Sequence, residues 1–162
     1  MSDEISIRDA RDDDGDALIA LIETCWADYP GCILDVDGDN PELRTFASHY
    51  SGPGRHAWIV ECSGKIVGSA AVEPAPDGAH IQTLYVDPAL RRQGLASRLL
   101  ALVEEHAVKS GARRIDLWTD TRFTAAHGFY ESLGYRRRPG TRSLDDASRS
   151  VEYNYVKTLR EA

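Results

Sequence analysis

No run of apolar residues in this chain comes near the roughly 18 that a membrane-crossing helix needs, so no membrane association is expected. Positive charge is in deficit as well. Nineteen Lys and Arg stand against 26 Asp and Glu, a formal net charge of −7. Nucleic-acid binding, normally carried by a basic face, is therefore not expected. Cysteine is sparse: Cys25, Cys32 and Cys62 are an odd number without C-x-x-C spacing. They read as reduced thiols and exclude a disulfide frame or a zinc site. His49, His56, His80, His106 and His127 lack the i, i+4 or clustered spacing of a metal centre. Asp35, Asp37 and Asp39 alternate as in a calcium loop. Counted from Asp35, however, positions 6 and 12 are Asn40 and Phe46, where an EF-hand needs Gly and Glu. No metal is expected. Walker A, G-x-G-x-x-G and G-x-S-x-G patterns are absent too, which disfavours a P-loop enzyme, a dinucleotide-binding enzyme and a serine hydrolase. The opening MSDEISIRDARDDDGD is acidic where a signal or transit peptide is basic, so a cytoplasmic location is expected.

What is present describes one globular domain over residues 1–162, with 42% apolar and 28% charged residues and no repeat or linker. Ile5–Arg8 alternates like a short strand, and Asp12, Asp13 and Asp14 supply the cap of a helix carrying Leu18, Leu21, Ile22 and Cys25. After an acidic loop, Asn40-Pro41-Glu42 predicts a helix running toward Tyr50. Strands follow at Ala57–Cys62 and Lys65–Val72, joined by Ser63-Gly64, and at Ile81–Val86 after the turn Pro74–Gly78. Gly94–Lys109 places Leu95, Leu99, Leu102, Val103 and His106 on one helical face. Ile115–Thr119 reads as a strand, Thr124–Leu133 as a helix, and Tyr135–Arg137 and Val151–Lys157 as a closing strand pair. The order implies an α/β (α+β) layered fold around one sheet.

One stretch carries chemistry. Leu84-Tyr85-Val86-Asp87-Pro88 ends a strand, Arg91-Arg92-Gln93 make a basic turn, and Gly94-Leu95-Ala96-Ser97 open a helix. The first N–H groups of a helix lack intrahelical acceptors and carry partial positive charge, so they can bind an anion. Gly94 allows close backbone approach, and the arginines add full charges. This is a pyrophosphate cradle. Some thirty residues on, Ala126, Tyr130, Gly134 and Tyr135 stand in A-x-x-x-Y-x-x-x-G-[FY] register.

The R-x-x-G-x-A of Arg91, Gly94 and Ala96 resembles motif A of the GNAT N-acetyltransferase superfamily, and the second segment resembles its motif B. Phe123 departs from the pattern, since many members carry Asn there, and Asp120-Thr121 is the nearest substitute. The resemblance implies a mixed, mostly antiparallel sheet of about seven strands with about four helices, and acetyl-CoA as co-substrate. It further implies that Leu84, Tyr85 and Val86 line the pantetheine arm and that Arg91, Arg92, Gln93, Gly94, Leu95, Ala96 and Ser97 hold the pyrophosphate. Phe129 would pack along the arm, and Tyr130 would donate a hydrogen bond to the departing thiolate. The expected reaction is acetyl transfer to a primary amine of a small-molecule or amino-acid-like acceptor. A non-catalytic acyl-CoA sensor and a protein N-terminal or lysine acetyltransferase are the alternatives. With the first two helices and the C-terminal strands, residues 26–39 would form the acceptor side, their acids either seating a cationic amine or making a plain solvated loop. Glu73, Asp120, the acids of the 35–39 loop, His80 and His127 are available as base, and none is singled out. Arg136-Arg137-Arg138 reads as a solvated strand end, with contact to the coenzyme's 3′-phosphate or to a partner chain as the alternatives. A homodimer through the C-terminal strands is compatible with the resemblance.

Overall fold

A computed structural model describes residues 4–159. The first strand, β1 (Ile5–Asp9), leads through a 3-10 turn at Asp12–Asp14 into helix α1 (Gly15–Trp26). The acidic triplet does more than cap that helix. Asp14 is buried, and its carboxylate accepts the Arg8 guanidinium at 2.7 and 2.9 Å and the Arg11 N–H at 2.7 Å. Burial, the largest single influence, would raise this carboxyl, but the hydrogen bonds and charges of Arg8 and Arg11 together hold it below the usual range.

The helix expected from Asn40 to Tyr50 is broken. The segment folds as a one-turn α2 (Val36–Asp39), a 3-10 stretch at Pro41–Thr45 and a one-turn α3 (Phe46–His49). Thr45, at φ −135° and ψ 49°, makes the break. Tertiary contacts override the local signal here: Asp12 accepts the Ser48 backbone N–H at 2.8 Å and its hydroxyl. A Cβ at Gly15 would stand 2.9 Å from the Leu43 carbonyl, so the two segments lie backbone to backbone. The break turns Leu43, Phe46 and Tyr50 together into the core beside Leu18, Leu21 and Ile22.

Strands β2 (His56–Cys62) and β3 (Lys65–Ala75) join at Ser63-Gly64, both at positive φ (51° and 80°), as a two-residue hairpin turn requires. Strand β3 runs on through Pro74 to Ala75, which leaves only Pro76-Asp77 as the turn into β4 (Gly78–Val86). Helix α4 (Leu95–Lys109), β5 (Arg114–Asp120) and α5 (Thr124–Ser132) follow. The chain closes with β6 (Arg136–Arg137), β7 (Arg142–Ser143) and β8 (Val151–Thr158). The sheet order is β1-β2-β3-β4-β5-β8-β6, with β7 also pairing β8. Strand β7 is the addition to the expected seven; its two residues give no periodicity to read. Every pairing is antiparallel except β4 with β5.

The sheet divides two cores. On one face Leu95, Leu99, Leu100 and Val103 of α4 pack with Val60, Val72, Ile115, Leu117, Tyr130 and Tyr155. On the other, α1, Leu43, Phe46 and Tyr50 cover Ala57, Ile59 and Ala71.

Candidate active site

The site begins where the sheet opens. Strands β4 and β5 pair only through Ala79 with Ile115 and His80 with Asp116. Beyond that rung the register ends, and the two strands enclose a wedge toward Val86 and Asp120. A bulge shapes its near wall. Pairing between β3 and β4 slips between Ser69 and Ala71, with Thr83 at φ 55° and its carbonyl accepting the Ser69 hydroxyl at 2.8 Å. An extra residue reverses the alternation of a strand. Ile81, Leu84 and Val86 therefore all face the α4 core, whereas Tyr85 turns to the α1 face against Trp26, ring centroids 6.5 Å apart. Of the three residues expected along the pantetheine arm, Leu84 and Val86 share a face and the Tyr85 side chain takes the other.

The cradle lies just past the open end of β4. Asp87 caps a short 3-10 turn by accepting the Ala89 N–H at 2.9 Å. Arg92 (φ 66°) and Gly94 (φ 78°) are both left-handed. Strain of this kind at a non-glycine residue collects at ligand-binding turns. The first intrahelical bond of α4 runs from the Arg98 N–H to the Gly94 carbonyl at 3.0 Å, so the earlier N–H groups precede the helical ladder. A Cβ at Gly94 would meet no atom within 4 Å, so the turn opens onto free space. Arg92, Gln93, Gly94 and Ser97 are exposed, Ala96 is half-buried, and Leu95 anchors the turn in the core. Arg91 is also exposed, and it acts on the Cys25 thiol: burial pushes that thiol up to about 11 while Arg91 opposes it. Cys25 donates to the Val86 carbonyl at 3.4 Å, which ties α1 to the end of β4.

Tyr130 is buried among rings, with Phe129, Tyr135 and Tyr155 centroids 5.6 to 5.9 Å away. Burial pushes its phenol well above the ordinary range, and among the described residues its hydroxyl has no hydrogen-bond partner. It lies within electrostatic reach of the Tyr85 phenol, as do Cys25 and Glu152. Phe129 packs half-buried on the same cluster.

Most of the available bases are already engaged. Burial would raise the Asp120 carboxyl, but Arg122 holds it low through three hydrogen bonds of 2.7 to 2.9 Å. His127 Nε2 sits 2.9 Å from the Asp120 carbonyl, and His80 Nδ1 sits 2.7 Å from Asp116 at the closed end of the wedge. Among the described residues Glu73 keeps two long contacts of 3.4 Å, to Arg55 and Gln82. The acidic loop is spent on its own folding: Asp35 caps Gly38, Asp37 pairs with Arg44, and Asp39 accepts the Ala147 N–H. Asp35 and Asp37 nevertheless stay exposed to solvent. Arg137 lies over the Tyr153 ring at 4.3 Å, so the basic run is partly stacked rather than wholly solvated.

The model of the acetyltransferase (GNAT) family matches residues 18–135. The chain belongs to the GNAT family. An uncharacterized N-acetyltransferase of Escherichia coli, YjgM, is 34% identical over 128 residues, 75% of this chain and 76% of that protein. The aminoalkylphosphonate N-acetyltransferase of Salmonella typhimurium is 31% identical over 138 residues, 81% of this chain and 84% of that protein. The chain spans about half, 54%, of human N-acetyltransferase 8, to which it is 28% identical. In fold it is similar to a GNAT acetyltransferase of Staphylococcus aureus, with TM-score 0.81, 21% identity and coverage of 97% of this chain and 100% of that one. It is likewise similar to the PaiA N-acetyltransferase of Thermoplasma acidophilum in complex with coenzyme A, with TM-score 0.70, 16% identity and coverage of 96% and 99%. Membership of the GNAT family supports acetyl-CoA-dependent N-acetyl transfer as the general activity. Among the described residues no cluster of His, Cys, Asp or Glu is arranged for a metal, and no helix is long and apolar enough to cross a membrane.

The GNAT motifs read from sequence meet at one wedge, but a side-chain cluster on its β5–β8 wall escaped them. Trp118, Arg142 and Glu152 stand on that wall: Arg142 lies 4.1 Å over the Trp118 ring and 2.8 to 2.9 Å from Glu152 Oε1. Trp26 adds a buried indole N–H beside the Tyr85 phenol. A two-residue strand brings Arg142 to Glu152, and no spacing in the sequence announces that.

Proposed function

We propose that this chain transfers the acetyl group of acetyl-CoA to the primary amine of a small, amino-acid-like acceptor by direct attack. The observation that carries the reading is the wedge between β4 and β5, which opens beside the α4 turn and has the neutral Tyr130 phenol nearby. The residues fit the coenzyme. Gly94 leaves open space where a side chain would stand, the first-turn N–H groups precede the helical ladder, and β4 has an unpaired edge past His80. When bound there, acetyl-CoA supplies an activated thioester. Residues 92 to 97 bind its pyrophosphate through backbone N–H groups, and Leu84 and Val86 offer backbone groups to the pantetheine amides. Phe129 packs along the arm.

Tyr130 donates a hydrogen bond to the sulfur as it leaves. An ordinary phenol at pKa about 10 already holds its proton against a thiol at about 8.5, and burial strengthens that hold. Tyr130 therefore stabilises the thiolate and keeps its own proton. The Salmonella relative, named for acetylating aminoalkylphosphonates, supports a small amine as acceptor. Thiol release on adding amines tests the reading. Tyr130→Phe is expected to lower kcat by about 100-fold, as for loss of one transition-state donor, with acetyl-CoA affinity nearly intact. Equal losses in turnover and in coenzyme binding would remove Tyr130 from the chemistry.

A further inference from the structure

The β5–β8 wall of the wedge is electrically balanced, unlike the protein as a whole. Its acids come with arginines: Asp120 with Arg122, and Glu152 with Arg142. Asp120 and Glu152 are direct partners across β5 and β8, so the two ion pairs stand side by side at the open end of the wedge. Those pairs differ in what they leave over. Both oxygens of Asp120 are taken by Arg122. Glu152 receives both of its Arg142 contacts on Oε1, and Oε2 has no partner among the described residues, although the side chain is only 16% exposed. Arg142 uses Nε and Nη2, leaving Nη1 without a partner among the described residues, and Trp118 beneath fixes its plane.

From this arrangement we infer that Glu152 and Arg142 form a two-point subsite for an acceptor that carries an anionic group beside its amine, such as an amino acid or an aminoalkylphosphonate. Glu152 Oε2 takes the ammonium, and the free edge of Arg142 takes the carboxylate or phosphonate. A polycation is disfavoured by the same geometry. It would need surplus negative charge, and here each carboxylate is already matched by a guanidinium held rigidly next to it. The Tyr85 phenol, turned to this face by the bulge at Thr83, lies within electrostatic reach of both Glu152 and Tyr130. An amine held at Glu152 is thus placed on the Tyr85 side of the wedge, toward the thioester expected beside Tyr130. Arg142 is a specificity residue in this account and does not touch the reacting atoms.

This inference rests on the acetyl-transfer reading, and its test separates the two. Acetyl transfer by the intact chain is followed by thiol release with a short amino acid, an aminoalkylphosphonate, the matched alkylamine lacking the anionic group, and a polyamine. Acetyl-CoA affinity is measured in parallel by calorimetry. The wild type is expected to favour the anion-bearing acceptors roughly tenfold or more in kcat/KM, the usual worth of one charge-assisted hydrogen bond. Arg142→Gln should raise KM for the anion-bearing acceptors more than for the plain alkylamine, erasing that preference, while acetyl-CoA affinity stays as in wild type. Arg142→Lys should restore part of it, because a point charge lacks the planar fork. Glu152→Gln should raise KM for every amine. Equal rates with the plain amine or the polyamine, or an Arg142→Gln loss that is the same for all acceptors, would overturn the subsite and leave acetyl transfer standing. Absence of both acetyl-CoA binding and thiol release in the wild type would overturn the transfer reading and the subsite together.

Discussion

Replacing Gly94 with alanine separates backbone strain from ligand exclusion. Gly94 sits at φ 78°, where an L-residue is penalised, and a Cβ there meets no protein atom within 4 Å. The folded state should therefore lose only the conformational term, about 1–2 kcal/mol. For a domain of this size that lowers Tm by about 2–8 °C. Gly111 supplies a matched control. It ends α4 at φ 91°, with equally open space around its Cβ, at the end of the helix away from the cradle. Gly111→Ala should show a similar drop in Tm. The two variants part company in a calorimetric titration with acetyl-CoA. At Gly94 the methyl group holds a pyrophosphate off the backbone, and losing one charge-assisted N–H contact of about 1.5–3 kcal/mol weakens Kd by roughly 10- to 100-fold. Gly111→Ala should bind like wild type. Matched Tm losses with unchanged Kd in both variants would refute a cradle at the start of α4.

Two further outcomes follow from the ion pairs and the histidines. Asp120→Asn leaves Arg122 without its partner and loosens the turn that also holds the Ser148 carbonyl, so urea denaturation should report a loss on the order of 3 kcal/mol; a loss under 0.5 kcal/mol would make this pair a surface decoration. Burial, aided by neighbouring His56, lowers the His106 pKa below its ordinary 6.5. The unfolded chain therefore takes up that proton first as pH falls, and the stability present above about pH 6.5 is lost on going down through the folded value. Urea midpoints should fall between pH 7.5 and 5.5, and His106→Leu should flatten that slope; an unchanged slope would assign the effect elsewhere.

Some parts of this molecule announce themselves locally, and others exist only through pairing. Helix α4 was legible because Leu95, Leu99 and Val103 repeat at helical spacing between Gly94 and Gly111. The β2–β3 hairpin was legible because Ser63-Gly64 suits two left-handed residues. The turn before α4 was legible for the same reason: it is backbone geometry written in a few consecutive residues around Gly94. Thr83 gave no signal, since a left-handed bulge at a β-branched residue is imposed by strand register and not by propensity. The helix read from Asn40 to Tyr50 failed because Asp12, distant in sequence, competes for Ser48. Acids 35, 37 and 39 each take a partner, at Gly38, Arg44 and Ala147, that charge spacing alone does not show. The grouping of Trp118, Arg142 and Glu152 was invisible, because the three come from separate strands that only the sheet brings together.

The two-rung junction between β4 and β5 also bears on how this chain folds. Strands β2, β3 and β4 are consecutive hairpins, so they can assemble early with little loop-closure cost. Strand β5 arrives only after the crossover through α4, and two rungs give it little purchase on β4 itself. Its hold comes from the seven-residue ladder with β8 and from α4 packed beneath the sheet. The domain is therefore two half-sheets sharing a seam. That seam is the last part of the sheet to gain cooperativity and the first to yield it, and a ligand lying along it would act as the missing ladder between the halves.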